Sequence, residues 1–163
     1  VFGSENPVQR CRRHKVGNVT GHLPEELKGQ VKCVMRAAYR LDADEGIAKL
    51  KHQARWLESE YPSAAASLLE GLEETCTINR LGLPPKLRRC LATTNIVESP
   101  TSGVRLRTGR VTNCKHGKMV LRWAAAAYLE TEKHFKRIDG YEHLWILKAA
   151  LDEDRIPHQE LVA

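Results

Sequence analysis

The chain has 163 residues, enough for one domain, or for part of a larger one, with an ordinary hydrophobic core. Its formal net charge of +6 favours a polyanionic partner, because phosphate contacts release counterions, although many basic proteins bind no nucleic acid. The five cysteines contain no Cys-x-x-Cys pair, which argues against a tetrathiolate or dithiol redox site. No apolar run approaches the roughly 20 residues of a membrane span, so we expect a cytoplasmic protein without a membrane partner.

The first forty residues predict a short strand and a helix. Residues 8–12 alternate weakly between apolar and polar side chains, which is typical of one short strand. A basic turn or helix should follow over residues 13–22. Pro24 and the two glutamates behind it favour a helix start, and apolar residues then recur at helical spacing through Leu41.

Two more helices should follow. The second begins near Asp42 or Asp44 and ends before Pro62, with an apolar stripe on one face. The third covers about residues 63–74 and has its own apolar positions at helical spacing. We therefore expect the three helices to pack together as a compact unit with acidic outer faces.

A Gly-Leu-Pro-Pro break separates this unit from the helices that follow. Gly117 precedes the longest predicted helix, which Gly140 should end, and a last short helix should cover residues 141–151. Trp123 and Trp145 lie among the apolar positions of these two helices. We expect both tryptophans to be core residues without a further function.

Glu98 is the only carboxylate in residues 80–122, a segment that holds ten lysines and arginines. In a structural interpretation, Asn95 as N-cap and Glu98 three residues later form a capping box. Alternatively, Ser99 caps a helix whose first residue is Pro100. In a functional interpretation, the carboxylate binds a metal cation beside a polyanion. The residue pattern alone favours the cap, because short cap motifs are common by chance.

Two further patterns suit nucleic-acid binding. Arg105, Arg107 and Arg110 could clamp phosphates, or they could form a solvated basic surface paired with the acidic helices. Arg105 and Arg107 are too close in sequence to share one helix face, so only one of them need contact a common ligand. Trp56 lies beside the apolar stripe of its helix, which suits either packing or stacking on an unpaired base.

Cys11 and His14 have the spacing of half a zinc site, but no second standard pair completes it. Cys114 and His116 are too close in sequence to supply the other half of a usual structural site. A structural zinc site is therefore the weaker interpretation. The residues favour a buried thiol and a hydrogen-bonded histidine after the predicted strand.

The order and spacing of these motifs closely resemble the C-terminal half of bacterial transposases of the Mutator type. The matching motifs are Cys11-x-x-His14-Lys15-x-x-Asn18, a helical segment with Trp56, and Thr93-Thr94-Asn95-x-x-Glu98 followed by Arg105 and Arg107. The resemblance covers residues 9–145, and it reverses the preference for a cap at Glu98.

The resemblance implies a mainly α chain: a helical insertion plus the C-terminal part of a ribonuclease H-like α/β fold, with at most one or two short strands. Residues 1–22 would end the ribonuclease H-like core, and residues 23–92 would form the helical insertion. Residues 93–151 would hold the glutamate-bearing segment and the C-terminal helices. Residues 152–163 would form a polar tail.

The same resemblance assigns the candidate site. Glu98 would be the third carboxylate of an Asp-Asp-Glu triad and a metal ligand, and the two aspartates would lie upstream of Val1. Cys11 and His14 would form the Cys-x-x-His motif that follows the second aspartate, and Asn95 would be a structural motif residue. The full-length enzyme would use Mg²⁺ or Mn²⁺ in two-metal phosphodiester transfer. This chain alone should be inactive.

The implied partner is DNA, both at the ends of an insertion element and at its target. The expected DNA contacts are Arg105, Arg107, Arg110, Trp56 and Lys15. A transposase of this type would form homo-oligomers at full length and would be associated with the bacterial nucleoid.

Two stretches depart from the family pattern. Cys114-Lys115-His116 stands where an aromatic residue and an acid are expected, and Arg12-Arg13 replaces a more aromatic or apolar pair. Both departures are typical of a decayed or partial element. The alternative function is therefore a non-catalytic DNA-binding or oligomerisation module left from a decayed transposase.

Overall fold

The computed structural model describes residues 6–159, with side chains described through residue 152. Over this range the chain is mainly helical and contains no strand, which confirms the predicted mainly α character. The helices are α1 (Arg12–Gly21), α2 (Glu25–Ala38), α3 (Ala43–Glu58), α4 (Pro62–Leu69), α5 (Thr77–Arg80), α6 (Pro85–Leu91), α7 (Asn95–Thr108), α8 (Gly117–Glu132) and α9 (Leu144–Gln159). Short 3₁₀ turns cover Glu73–Thr75 and Tyr141–His143.

The helices α1 to α4 enclose the main hydrophobic core. α3 packs along α4, while α1 packs against α2 and α4, and α2 packs against α3. The largest buried side chains in this core are Met35, Leu50, Leu57 and Leu68. Asp42 caps α3 by accepting a hydrogen bond from the Glu45 N–H at 2.9 Å. α4 ends at Leu69, before the predicted position, because Gly71 adopts a left-handed φ of 57°.

The predicted strand at residues 8–12 is wrong. Residues 6–11 carry no regular secondary structure, and α1 begins at Arg12. The Arg10 N–H donates to the Glu74 carbonyl at 2.9 Å, and the Arg12 N–H donates to the Ala92 carbonyl at 3.0 Å. A strand needs a neighbouring strand for its ladder of hydrogen bonds, and the described residues supply none. The segment instead joins the start of α1 to the end of α6.

The helices α7 and α8 pack against each other. Gly103 of α7 allows a close approach to Thr131 of α8, since a Cβ atom at Gly103 would lie 2.3 Å from Thr131 Cγ2. α7 also continues through Pro100, which has no N–H to donate to the Ile96 carbonyl one turn earlier. The helix therefore crosses a position that usually kinks or ends helices.

The C-terminal helices differ from the prediction. α8 ends at Glu132 rather than at Gly140, and the apolar side chain of Phe135 beyond it is half exposed, so further helix would gain little from burial. Gly140 has a φ of 78° and lies against α6, where a Cβ atom would be 2.8 Å from the Leu87 nitrogen. α9 runs to Gln159, past its predicted end. The last four residues of the predicted tail lie outside the described range.

Large apolar side chains of α7, α8 and α9 are exposed. Trp123 is 45% exposed and Trp145 is 68% exposed, so the prediction that both belong to the core is wrong. Leu106 and Leu121 are exposed as well. Within residues 6–159, no helix is both long enough and apolar enough to cross a membrane.

Candidate functional site

Cys11 and His14 lie at the start of α1. Cys11 is the N-cap residue, and the hydrogen bond from the Arg12 N–H to the Ala92 carbonyl places this helix end beside the turn between α6 and α7. His14 lies in the first turn of α1, with its side chain 61% exposed. The local fold therefore brings the Cys-x-x-His motif to the segment that leads into Glu98.

Glu98 lies at the start of α7, held by Thr94. The Glu98 N–H donates to the Thr94 carbonyl at 2.8 Å, and the Thr94 hydroxyl donates to Glu98 Oε1 at 2.5 Å. Both capping arrangements expected from the sequence are wrong. Thr94 is the N-cap residue, Asn95 is the exposed first residue of the helix, and the helix passes through Pro100. The Thr94 hydroxyl thus orients a carboxylate instead of capping a backbone N–H.

The two motifs meet in space, although 83 positions separate Cys11 from Thr94. His14 Nε2 lies 3.4 Å from Glu98 Oε1, and the Thr94 hydroxyl lies 3.5 Å from Cys11 Sγ. A hydroxyl has one proton, so Thr94 can donate to the thiol or to the carboxylate, but not to both at once. We call Cys11, His14, Thr94 and Glu98 the Glu98 cluster.

The environment of the Glu98 cluster favours negative charge on Cys11. Partial burial alone raises the pKa of the Cys11 thiol, but hydrogen bonding from Thr94 and from the backbone amides of His14, Thr94 and Arg13 outweighs burial and lowers the pKa. Glu98 lies near the positive N-terminal end of α7, and its side chain is 44% exposed. Because His14 is also exposed, the ion pair that forms when His14 is protonated contributes about 0 to 1 kcal/mol.

The Glu98 cluster contains a single carboxylate. Among the described residues, no group of three or more His, Cys, Asp or Glu side chains could hold a metal ion. Two-metal phosphodiester chemistry relies on several ligands to hold two ions roughly 3.5 to 4 Å apart. The described residues of this chain therefore do not fit a two-metal site by themselves.

The family model described as "Transposase, Mutator family" matches residues 3–137, which include the whole Glu98 cluster. The chain belongs to the Mutator family of transposases. It is 31% identical over 114 residues to the transposase for insertion sequence element IST2 of Acidithiobacillus ferrooxidans, covering 68% of this chain and 37% of that protein. It is also 31% identical over 137 residues to the transposase for insertion sequence element ISRM5 of Rhizobium meliloti, covering 82% of this chain and 33% of that protein.

Membership in the Mutator family confirms the resemblance that the motif order indicated. The chain spans about a third of the length of the curated relatives it matches. No solved structure matches the chain. The family is therefore established by sequence, and the roles of individual residues depend on the geometry described here.

The three arginines expected to contact DNA in this Mutator-family chain have different surroundings. Arg105 lies seven residues after Glu98, which places it on the same side of α7, about 10 Å further along the helix. Arg107 is half-buried and donates to the Gly103 carbonyl at 3.1 Å. Arg110 is exposed just beyond the helix end. Arg105 and Arg110 are therefore more open to an anionic ligand than Arg107.

Trp56 lies on α3, apart from the apolar stripe of that helix, and is 50% exposed. It lines a cavity of about 270 Å³ between α2 and α3, together with Lys49 and His52. A half-exposed indole beside basic side chains is available for stacking. Its expected contact with DNA stays a prediction.

Lys15 has a place in the structure that argues against DNA contact. Its side chain is 3% exposed, and its ammonium group donates to the Ser67 carbonyl at 2.6 Å and to the Glu70 carbonyl at 2.5 Å. Burial, the main cause, lowers the pKa of Lys15. Lys15 joins α1 to the end of α4, so we leave it out of the DNA interface proposed below.

Sequence reasoning missed Thr94 as a member of the Glu98 cluster. Thr94 stands four residues before Glu98, and side chains four residues apart are neighbours on a helix. That spacing was the available signal. The spacing places the two side chains together only if the helix begins just after Thr94, and the sequence indicated that the helix begins one to several residues later.

Proposed function

We propose that this chain forms the glutamate-bearing part of an Asp-Asp-Glu transposase, which cuts and joins DNA at the ends of an insertion element. The observation that carries the proposal is the contact of His14 with Glu98 and of Cys11 with Thr94. In the proposed enzyme, Glu98 is the third catalytic carboxylate of a ribonuclease H-like site. The two aspartates belong to a part of the longer protein that precedes Val1.

The geometry supports a role for each of these residues in the proposed enzyme. The Thr94 hydroxyl fixes the orientation of the Glu98 carboxylate at 2.5 Å. His14 lies within 3.4 Å of the same carboxylate oxygen and adds positive charge there when it is protonated. Because Glu98 remains 44% exposed, its carboxylate is open to groups from outside this chain. The four residues of the Glu98 cluster thus form one wall of an incomplete site.

The family implies Mg²⁺ or Mn²⁺, which would supply charge stabilisation for phosphodiester transfer in the full-length enzyme. One carboxylate is too few to hold such ions, as the described residues indicate. We therefore expect this chain alone to leave supercoiled plasmid intact in the presence of Mn²⁺. Nicking that is lost in Glu98→Gln would mean that the chain contains further ligands.

A segment exchange tests the role of Glu98. Residues 9–145 of this chain would replace the matching segment of the Rhizobium meliloti transposase, which supplies the rest of the longer protein. We expect the exchanged enzyme to cleave DNA carrying the element ends. Glu98→Gln should abolish cleavage, because the amide keeps the shape of the side chain but not its charge.

The matched control for this exchange is Glu60→Gln, which neutralises an exposed carboxylate far along the chain from the Glu98 cluster. Glu60→Gln should keep full cleavage activity. Cleavage that survives Glu98→Gln would contradict the catalytic role of Glu98. An exchanged enzyme that folds but never cleaves would contradict the proposal that this segment still serves a transposase.

A second candidate function is a non-catalytic DNA-binding or oligomerisation module of a decayed transposase. The lone carboxylate of the Glu98 cluster is the observation that favours it. The segment exchange separates the two candidates, since a decayed module would bind DNA but would not support cleavage. Size-exclusion chromatography with light scattering would test the oligomerisation part.

A further inference from the structure

A basic cleft lies beside the Glu98 cluster and has no counterpart among the sequence predictions. It has a volume of about 680 Å³ and is formed by residues of α1, α2 and the α6 region. Its cationic lining residues are Arg12, Arg13, Lys32, Arg36, Arg40 and Arg89. Among the residues that the structure describes, no carboxylate lines this cleft. We call it the arginine cleft.

The cations of the arginine cleft fall into two groups. Arg12 is 9% exposed, and its guanidinium donates to the Thr75 and Tyr39 carbonyls and to Asn79 Oδ1, so its hydrogen-bonding groups are satisfied within the fold. Arg12 forms part of the floor of the cleft.

The other five cations of the cleft have no such partners. Arg13, Arg36, Arg40 and Arg89 are exposed, and Lys32 is half-buried. Among the described side chains, none of the five forms a salt bridge or a side-chain hydrogen bond. Elsewhere in the fold the pattern differs, since Arg10 pairs with Glu70 and Glu74. Lys32 interacts electrostatically with Glu25, but Glu25 is paired with Lys28 at 2.8 Å, so the cleft keeps an excess of positive charge. Like charges gathered in one place repel each other, and a polyanion relieves that repulsion.

The arginine cleft adjoins the Glu98 cluster along two separate segments. On α1, Arg13 lines the cleft and the next residue, His14, lies 3.4 Å from Glu98. Before α7, Thr93 lines the cleft and the next residue, Thr94, donates to Glu98. If the reacting phosphate of a DNA strand lay at Glu98, the neighbouring phosphates of the same strand would therefore lie at the arginine cleft.

The lining of the cleft suits phosphates better than bases. Its only uncharged side chains with hydroxyl groups are those of Thr20, Tyr39 and Thr93, and the Thr20 hydroxyl already donates to the Val16 carbonyl at 2.9 Å. Arginine and lysine contacts to phosphate fix the position of a nucleic acid without reading its sequence. The cleft therefore has the chemistry of a sequence-independent backbone site.

We propose that the arginine cleft binds the sugar-phosphate backbone of the DNA strand that extends from the Glu98 cluster. This inference rests on the proposed function for the choice of DNA as the polyanion. It adds a second contact surface to the one expected at Arg105 and Arg110. The cations on α2 and α6 position the strand, and they take no part in the chemistry.

The test compares two triple variants of this chain that lose the same charge. The cleft variant carries Arg36→Gln, Arg40→Gln and Arg89→Gln. The control variant carries Lys118→Gln, Arg122→Gln and Lys136→Gln, three exposed cations of α8 and the segment after it. Each protein is titrated with a fluorescent duplex of arbitrary sequence over a range of salt concentrations, and a thermal melt checks its folding.

We expect the cleft variant to bind all DNA sequences more weakly than the unmodified chain. The slope of log affinity against log salt concentration should become shallower by about 0.9 for each lost phosphate contact. The control variant should change this slope much less. Arg36→Lys, Arg40→Lys and Arg89→Lys together should restore the slope, because lysine keeps the charge for phosphate binding. The restoration separates a charge effect from a packing effect.

Three results would overturn the inference. Equal slopes in the cleft and control variants would place the DNA elsewhere while leaving the proposed function intact. Displacement of the duplex from the unmodified chain by micromolar inorganic pyrophosphate would make the cleft a site for a small anion. A chain that binds no duplex at all would remove both the cleft inference and the DNA-handling role of this chain.

Discussion

Residues 11–92 and residues 94–152 differ in how they bury apolar side chains. In the first region, α1 to α6, the apolar residues at helical spacing reach the interior, and the main core lies entirely between Val16 and Cys76. In the second region, Ala127 is the only buried hydrophobic residue among the described side chains. The first region therefore gains stability from its own core, whereas the second presents apolar faces that gain stability only when another surface covers them.

The functional residues lie where these two regions meet. Cys11 and His14 belong to the start of the first region, and Thr94 and Glu98 belong to the start of the second. Contacts across the junction join the Thr94 hydroxyl to Cys11 Sγ and His14 Nε2 to Glu98 Oε1. A region with its own hydrophobic core thus positions one half of the cluster, and a less buried region carries the catalytic candidate.

The largest expected effect tests the difference in burial directly. Leu57→Ala, in the core of the first region, should lower the free energy of unfolding by about 2 to 5 kcal/mol, because the residue is 0% exposed. Leu121→Ala, the same change at a residue of α8 that is 70% exposed, should stay within about 0.5 kcal/mol. Denaturant titrations of both variants measure the contrast, and similar losses would contradict it.

Lys15→Met should also reduce stability, because it leaves the Ser67 and Glu70 carbonyls without their donor. We expect a loss of about 1 to 3 kcal/mol in the free energy of unfolding, together with an unchanged salt dependence of DNA binding. Lys28→Met is the matched control, because this lysine of α2 is 33% exposed and pairs only with the exposed carboxylate of Glu25. It should cost about 1 kcal/mol or less. A weaker DNA affinity in folded Lys15→Met would restore Lys15 as a DNA contact.

The stability of the chain should also depend on pH through Lys15. Burial lowers its pKa below the ordinary 10.5, so the folded chain releases this proton at a lower pH than the unfolded chain. Stability from this residue therefore increases as pH rises from the folded pKa towards 10.5. Chemical unfolding across that window should show the increase in the unmodified chain and a smaller one in Lys15→Met.

Trp56→Ala tests a large apolar side chain that is exposed although it belongs to the first region. Because Trp56 is 50% exposed, the substitution should cost less stability than the 3 to 5 kcal/mol typical of a buried tryptophan. If the indole stacks on an unpaired base, affinity for a nicked or hairpin DNA end should fall by about 1 to 3 kcal/mol, with a smaller effect on plain duplex. A sharply lower melting temperature with unaltered end binding would make Trp56 a packing residue.

Arg105→Gln and Arg110→Gln test two exposed cations of the second region, where we expect an effect on DNA binding and hardly any on stability. Stability should hardly change, because both side chains are exposed. Binding to all DNA sequences should weaken, and the salt slope should flatten by about 0.9 for each lost phosphate contact. Adding Arg107→Gln should have a smaller further effect on DNA binding, since Arg107 also bonds to Gly103. Unchanged salt slopes would remove α7 from the DNA interface.

The smallest expected effect concerns the junction itself. Thr94→Val removes the hydroxyl that favours the Cys11 thiolate, so the pKa of Cys11 should rise. The measurement is the pH dependence of alkylation of Cys11, in a chain whose other four cysteines are replaced by serine. Thr94→Ser keeps the hydroxyl and should keep the unmodified profile. Identical profiles for valine and serine would show that Thr94 does not act on the thiol.

The helices α2 and α3 could be predicted because their apolar residues repeat with the helical period and their starts carry Pro24 and Asp42. The short helices α5 and α6 were not predicted. The prediction of a strand at residues 8–12 was wrong because a weak alternation of apolar and polar residues does not indicate whether a partner strand exists. The predicted end of α8 was wrong because apolar residues continue at helical spacing past Glu132. Beyond Glu132 these residues, such as the half-exposed Phe135, have no surface that buries them.

The candidate site was predictable only in part. Motif order identified Glu98, Cys11 and His14, and their convergence depends on how α1 and α7 pack, which no local pattern encodes. The arginine cleft was not found, because residues such as Arg13 and Arg89 lie far apart in sequence and share no spacing rule. Burial of Lys15 could not be foreseen either, since lysine is rarely buried.

Pro100 has a mechanical consequence for the turn that carries Glu98. Because proline lacks an N–H, the backbone of α7 loses the hydrogen bond that would join residue 100 to the Ile96 carbonyl. The Thr101 and Ser102 hydroxyls donate to the Val97 and Glu98 carbonyls, which ties this stretch together with side chains. The first turn of α7, which carries Glu98, is therefore joined to the next turn by one backbone hydrogen bond fewer and in part by these two hydroxyl groups.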